Sequence, residues 1–261
     1  VWWGIAARLL YVTSPQLSCD AGWVASTGKW KGSQQMPDSR TENQSGLLNG
    51  LEEILNPCHT AIVVVDMQND FCAENGYIHA TQGADMSGNR SLAERIGRLV
   101  KAGRTAGCEI VWVKAIYDHD LLPAPMLSKM LERGNGAVCC ASGSWGADFY
   151  EISPENGEQV VEKRCYSAFH NTQMDDILRR RSIKSLIITG VATNVCVDST
   201  LREAFFHGYY IVMPPDCVGS ANMPLHEATI KSVEFIFGDV PESGKVIQMW
   251  EDRTGAEATP R

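Results

Sequence analysis

Three residues of this chain combine a nucleophile with the groups that activate one: Cys196, Asp66 and Lys163. Cys196 closes the run Gly190-Val191-Ala192-Thr193-Asn194-Val195-Cys196. There an apolar strand ends at a glycine, turns through Ala-Thr-Asn and delivers a cysteine to the start of a helix. The free amides and positive dipole end of a helix N-terminus favour thiolate over thiol, and the same amides can bind an oxyanion. Asp66 ends the apolar, β-branched run Ala61-Ile62-Val63-Val64-Val65, and Lys163 ends Glu158-Gln159-Val160-Val161-Glu162. A lysine beside the cysteine stabilises the thiolate. An aspartate takes the thiol proton and later passes it to a leaving nitrogen. Taken singly, each has a plainer alternative: Cys196 as a small buried hydrophobe, Asp66 and Lys163 as a solvated pair at strand ends. Taken together they are an acyl-transfer set of nucleophile, base and cationic orienter.

The elements that must position these residues alternate along the chain. Strand-like runs at 61–66, 109–115, 158–163, 184–190, 209–213 and 245–249 are separated by helical patterns at 91–106 and 172–181, after Cys196, and at 224–237. Such alternation gives right-handed crossovers and a doubly wound, three-layer α/β/α fold with a mostly parallel sheet of about six strands. Ligands bind beyond the carboxyl ends of the strands in such folds, which is where Asp66, Lys163 and the turn to Cys196 fall. Residues 117–150 carry Pro, Gly and Ser with no sustained period and read as a long active-site loop with short helical pieces.

Composition bounds the rest. With 23 basic and 31 acidic residues the formal charge is −8, which argues against a nucleic-acid or anionic-membrane surface. Nine scattered cysteines form no C-x-x-C pair, so neither a zinc ribbon nor a disulfide scaffold fits, and a reducing, cytoplasmic compartment is expected. No apolar run approaches the roughly 18 residues that span a bilayer. Residues 1–57 read as an N-terminal extension, draped or partly disordered, ahead of the main domain over 58–261. Its tryptophans Trp2, Trp3, Trp23 and Trp30 favour draping.

Three segments resemble the signatures of the isochorismatase-like cysteine hydrolases: Val64-Val65-Asp66-Met67-Gln68-Asn69-Asp70-Phe71, Lys163, and Gly190 through Cys196. The resemblance runs from about Thr60 to Val240. It implies Cys196 as nucleophile, Asp66 as general base, Lys163 as the third catalytic residue, and a cis peptide between Val191 and Ala192, with the amides of Ala192 and Cys196 at the oxyanion. Within that superfamily the ureidoacrylate amidohydrolases are the most similar branch. The similar residues are Asn75-Gly76-Tyr77, Gly143-Ser144-Trp145, Arg164 to Ser167, Phe169, Asn171, Thr172 and Ser199-Thr200-Leu201-Arg202. The N-terminal extension, Cys165 and the middle loop depart from that branch.

The expected activity is therefore cleavage of a C–N bond in a small linear amide, above all a ureido or carbamoyl compound such as ureidoacrylate, through a Cys acyl-enzyme. Nicotinamide and biuret are the alternative substrates. Asn69, Phe71, Trp145 and Tyr166 are the expected pocket walls. No cofactor and no metal are expected: Asp118-His119-Asp120 lacks the second histidine of the metal-dependent nicotinamidases and reads as a solvated acidic loop. Two other classes compete. Cys196 and Arg202 satisfy Cys-x5-Arg, the spacing of a cysteine-phosphatase loop, but Asp198 puts a negative charge beside any phosphate there and the loop has no glycine. A non-catalytic interaction protein on the same fold leaves the Asp-Lys-Cys set without a purpose. The expected partners are the small-molecule substrate and further copies of the chain, in a homo-oligomer.

Overall fold

Residues 60–65 are almost all β-branched and carry no charge, a composition that suits a strand covered on both faces. In the computed structural model, which describes residues 46–134 and 136–257, they form a fully buried strand at the centre of the sheet. The regular elements run in the order α1 (Gly50–Ile54), β1 (Thr60–Val65), α2 (Asn69–Cys72), α3 (Tyr77–Gln82), α4 (Asn89–Ala106), β2 (Glu109–Ala115), α5 (Ala124–Gly134) and β3 (Gln159–Lys163). They continue with α6 (Met174–Arg180), β4 (Ser185–Val191), α7 (Asp198–Phe206), β5 (Tyr210–Val212), β6 (Val218–Gly219), α8 (Met223–Ser232), β7 (Gly238–Asp239) and α9 (Ser243–Glu257). The sheet has seven strands in the order β3-β2-β1-β4-β5-β7, with β6 paired to β4, and every one of these pairs is parallel.

Period-two alternation along the strands builds two cores. Ala61, Val63 and Val65 face Met174 and Leu178 of α6 and Leu201 and Ala204 of α7. Ile62 and Val64 face Leu92, Ile96 and Leu99 of α4 together with Val246 and Trp250 of α9. The expected three-layer architecture is therefore present.

Three expectations change in detail. Residues 245–249 lie within α9 and are not a strand, because Val246 and Trp250, four apart on one helical face, both bury against the α4 layer while the two-residue β7 takes the sheet edge. Residues 117–150 contain a full helix, α5, which carries the buried Met126. The compact unit begins at Leu48 rather than at Cys58: Ile54 and Leu55 are buried in the α4 core, and Trp250 Nε1 donates to the Leu55 carbonyl at 2.8 Å. The reading of residues 1–45 lies outside the described residues. No helix among the described residues is long and apolar enough to cross a membrane.

One glycine sets how closely the two site-bearing strands approach. Gly190 sits at φ +106°, and a Cβ there would fall 2.0 Å from the Val65 carbonyl oxygen. Any side chain must both enter a backbone region that costs an L-residue about 1–2 kcal/mol and push β4 away from β1. Gly190→Ala is therefore expected to destabilise the fold by about 3 kcal/mol or more, a fall in Tm of about 6–12 °C for a chain of this size. Thermal unfolding checks it, and a Tm within about 2 °C of the wild type would show that the strands part at no cost.

Candidate active site

Two strand ends and one turn bring the three chemistry-bearing side chains together. Asp66 directly follows β1 and is fully buried, with its backbone in the left-handed region at φ 51°. Lys163 is the last residue of β3 and is equally buried. Cys196, 5 % exposed, lies in a wide helical turn over Thr193–Val197 that leads into α7. Since β2 and β1 lie side by side beyond β3, the long lysine side chain crosses the end of β2 to reach the others. Its ammonium sits 2.8 Å from Asp66 Oδ2, and donates to Tyr117 Oη at 2.8 Å, to the Cys165 carbonyl at 3.0 Å and to Cys196 Sγ at 3.4 Å. Tyr117 Oη also donates to the Cys165 carbonyl and approaches Cys196 Sγ at 3.8 Å.

Burial dominates the electrostatics of this cluster. It raises the Asp66 carboxyl above the ordinary range, and the neighbouring Lys163 charge recovers only part of the loss. It pushes the Cys196 thiol up to about 12, with Lys163 pulling down and Asp66 pushing up. Burial alone would favour a neutral lysine, but the Asp66 carboxylate and the Cys196 sulfur outweigh it, and Lys163 is held as an ammonium. Burial, reinforced by Cys196 and Asp66, likewise keeps the Tyr117 phenol protonated. Lys163 is thus a cation set between the Asp66 carboxyl and a neutral Cys196 thiol. In such a set the Asp66 carboxyl, once ionised, can take the thiol proton as the sulfur attacks.

Neighbouring polar groups fix the turns that hold these residues. The buried Gln68 amide donates to the Ala115 and Ala147 carbonyls at 2.9 Å each and accepts from Ala115 N–H at 2.7 Å, tying the chain after Asp66 to the end of β2. On the cysteine turn, Thr193 Oγ1 lies 2.8 Å from His226 Nδ1, whose pKa burial lowers, and Ser220 Oγ donates to Asn194 Oδ1 at 2.6 Å. The Val191–Ala192 peptide is cis, as the resemblance implies.

A cavity of about 460 Å³ opens on this cluster. Asp66, Tyr117, Ala192 and Cys196 line it, and so do Phe71 and Tyr166, two of the four expected wall residues. The other two lie elsewhere. The Asn69 side chain donates to the Trp145 carbonyl at 2.8 Å, and Trp145 is 53 % exposed, so this pair secures a surface turn and neither residue lines the cavity. Tyr117 and Tyr77 were not among the expected site residues. Tyr117 follows the carboxyl end of β2 by two residues, and the rule that ligands bind at strand ends singles it out once β2 is placed.

The phosphatase arrangement is absent. Arg202 binds both oxygens of Asp198 at 2.9 Å and stacks 4.5 Å from the Phe237 ring centroid, so its guanidinium does not line the cavity around Cys196. Asp118 Oδ1 accepts from Ser142 N–H. Among the described residues, the one set with metal-ligating atoms gathered within 4.8 Å is Asp70, Cys139 and Cys140 rather than Asp118-His119-Asp120. Both Asp70 oxygens there already accept backbone N–H groups, from Tyr77 and Cys140.

A parallel seven-stranded sheet sandwiched by helices is the α/β fold of the isochorismatase-like hydrolases. The isochorismatase domain model matches residues 60–243, and the chain belongs to that family. Ureidoacrylate amidohydrolase RutB of Cronobacter sakazakii is 36% identical over 219 residues, spanning 78% of this chain and 92% of the relative. RutB of Methylorubrum extorquens AM1 is 34% identical over 197 residues, spanning 70% of this chain and 79% of the relative. Among solved structures, a cysteine hydrolase from Pseudomonas syringae pv. phaseolicola superposes with a TM-score of 0.65 at 25% identity, over 76% of this chain and 94% of that one. Nicotinamidase PncA from Bacillus subtilis gives 0.60 at 26% identity, over 70% and 99%.

Proposed function

We propose that this chain is a cysteine-dependent amidohydrolase that cleaves a C–N bond of a small linear ureido compound, ureidoacrylate or a close analogue, through a covalent intermediate on Cys196. The observation that carries this reading is the buried Lys163 ammonium touching both Asp66 Oδ2 and Cys196 Sγ, the two residues of the set that line the cavity. The RutB relatives support the ureido substrate.

In this mechanism Cys196 Sγ attacks the ureido carbonyl carbon as its proton passes to Asp66. The amides of Ala192 and Cys196 hold the oxyanion that forms. Protonated Asp66 then gives its proton to the nitrogen of the breaking C–N bond, and the amine leaves. An S-carbamoyl cysteine remains. Water enters, yields a proton to Asp66 and attacks the same carbon; the sulfur departs, recovers the proton, and carbamate is released, decomposing to carbon dioxide and ammonia. Lys163 stays an ammonium throughout. It stabilises the sulfur whenever that atom carries negative charge and keeps the Asp66 carboxylate turned towards it. Tyr117 Oη accepts a further hydrogen bond from the ammonium and helps to hold it in place.

The test is ammonia release from a panel of ureidoacrylate, N-carbamoyl-β-alanine, biuret and nicotinamide, with intact mass recorded soon after mixing. The expected result is release from the ureido members, a transient carbamoyl adduct on the peptide containing Cys196, and loss of both after alkylation by iodoacetamide. Release that survives complete alkylation of Cys196 would overturn the covalent route. No release from any member would turn the reading towards a binding protein on a hydrolase fold.

A further inference from the structure

We propose that Arg133 is the anchor for a carboxylate at the far end of the substrate, so that the site takes ureido acids in preference to uncharged ureas. This rests on the amidohydrolase reading and adds the charge of the group that is not cleaved.

The charges on the cavity wall carry the inference. Asp66 is matched by Lys163 Nζ at 2.8 Å, and Lys129 by Glu132 Oε2 at 2.7 Å. Asp85 accepts the Ser87 N–H at 2.9 Å. Arg133 also lines the cavity, and among the described residues its guanidinium has neither an ion pair nor a hydrogen bond. An arginine that opens on a pocket without a carboxylate of its own offers a planar fork matched to two carboxylate oxygens.

Its position is fixed from behind. The next residue, Gly134, is buried at the end of α5, and a Cβ there would lie 2.0 Å from Tyr77 Oη. Only glycine lets the helix end rest on the Tyr77 hydroxyl, while Tyr77 N–H is itself held by Asp70 Oδ1 at 3.0 Å. Arg133 therefore projects from a helix end seated on the cavity wall.

Tyr166 links this cation to the thiol. It lines the cavity, and its phenol, raised by burial and by the Cys196 sulfur, is drawn partly back by the Arg133 charge, so one ring lies in the field of both groups. A linear ureido acid bound with its carbonyl carbon at Sγ can lie along that ring and place its carboxylate on the guanidinium. Nothing in this arrangement rewards an uncharged chain end.

The test uses the full chain and three compounds, the acids ureidoacrylate and N-carbamoyl-β-alanine against propylurea, the last having a methyl group where N-carbamoyl-β-alanine has its carboxylate. The wild type is expected to favour the acids by at least about tenfold in kcat/KM. Arg133→Ala is expected to lower kcat/KM for the acids about 30- to 100-fold, mainly through KM, to change propylurea by less than about twofold, and Arg133→Lys to restore part of the loss. Equal losses on acid and urea would assign Arg133 a merely structural role, and unchanged kinetics on the acids would overturn the anchor. Calorimetric binding of N-carbamoyl-β-alanine to Cys196→Ala, and to the same variant carrying Arg133→Ala, reads the anchor without turnover. Binding that persists without the guanidinium overturns the anchor alone, whereas failure of every substrate to turn over, with binding intact and dependent on Arg133, overturns the amidohydrolase reading alone.

Discussion

Replacing Cys196 with alanine is expected to lower kcat for the ureido substrate by about four orders of magnitude or more, while the protein stays folded. The size follows from the role. Removing a covalent nucleophile takes away the whole pathway and leaves only what oxyanion contacts and substrate positioning contribute, as in serine-protease triads, where loss of the nucleophile costs about 10⁶ in kcat. The fold is expected to survive because the sulfur is one of four partners of the Lys163 ammonium; Asp66, Tyr117 and the Cys165 carbonyl remain. The change removes one buried atom, a cost of about 1 kcal/mol, so Tm should fall by about 2–4 °C. Initial rates, thermal unfolding and intact mass under the same conditions check the prediction. A variant that keeps a tenth of the wild-type rate with no adduct would place the nucleophile elsewhere, and the seven other described cysteines are all free to be examined.

Much of this site can be read from the chain because its residues sit in strong local contexts. The uninterrupted β-branched run before Asp66 and the apolar run before Gly190 each allow one interpretation, a buried parallel strand, and the fold type then places their carboxyl ends side by side. Side chains on loops are a different matter. Asn69 and Phe71 are two residues apart, and only Phe71 faces the cavity, because a short helix over Asn69–Cys72 turns Asn69 towards the Trp145 carbonyl. No spacing in the sequence announces that turn. Tyr117 was hidden for another reason: its partner Lys163 is 46 residues away, and the contact exists only once β3 has paired with β2. At the C-terminal end, residues 245–249 have apolar content that suits a short strand as well as a helix, and the decision came from tertiary packing of Val246 and Trp250 on the α4 layer.

Asp66→Asn and Lys163→Met are both expected to reduce turnover by about 10³ or more, yet to move the reactivity of Cys196 in opposite directions. In the wild type, burial holds the thiol up to about 12, Lys163 acts to lower it and Asp66 to raise it. Asparagine removes the upward push and leaves a buried ammonium without its carboxylate 2.8 Å away. The sulfur is then the nearest group that can supply the missing negative charge, so its pKa falls and alkylation by iodoacetamide at pH 7–8 becomes faster than in the wild type. Methionine does the reverse. It removes the downward pull, the buried Asp66 carboxyl takes up a proton, and alkylation of Cys196 becomes slower than in the wild type. Each variant breaks a buried ion pair and should lose several kcal/mol of stability, so thermal unfolding and peptide-level mapping of the alkylated cysteine must accompany the rates. General unfolding would speed alkylation at all the buried cysteines, not at Cys196 alone. The wild-type pH profile carries the same logic. Because Asp66 must be ionised to accept the thiol proton and burial raises its pKa, kcat/KM should climb with pH through a limb above the ordinary carboxylate value of about 4, and Asp66→Asn should abolish that limb along with the activity. Equal alkylation rates at Cys196 in all three proteins would mean that the thiol does not feel the pair, and the assignment of Asp66 as its base would fall.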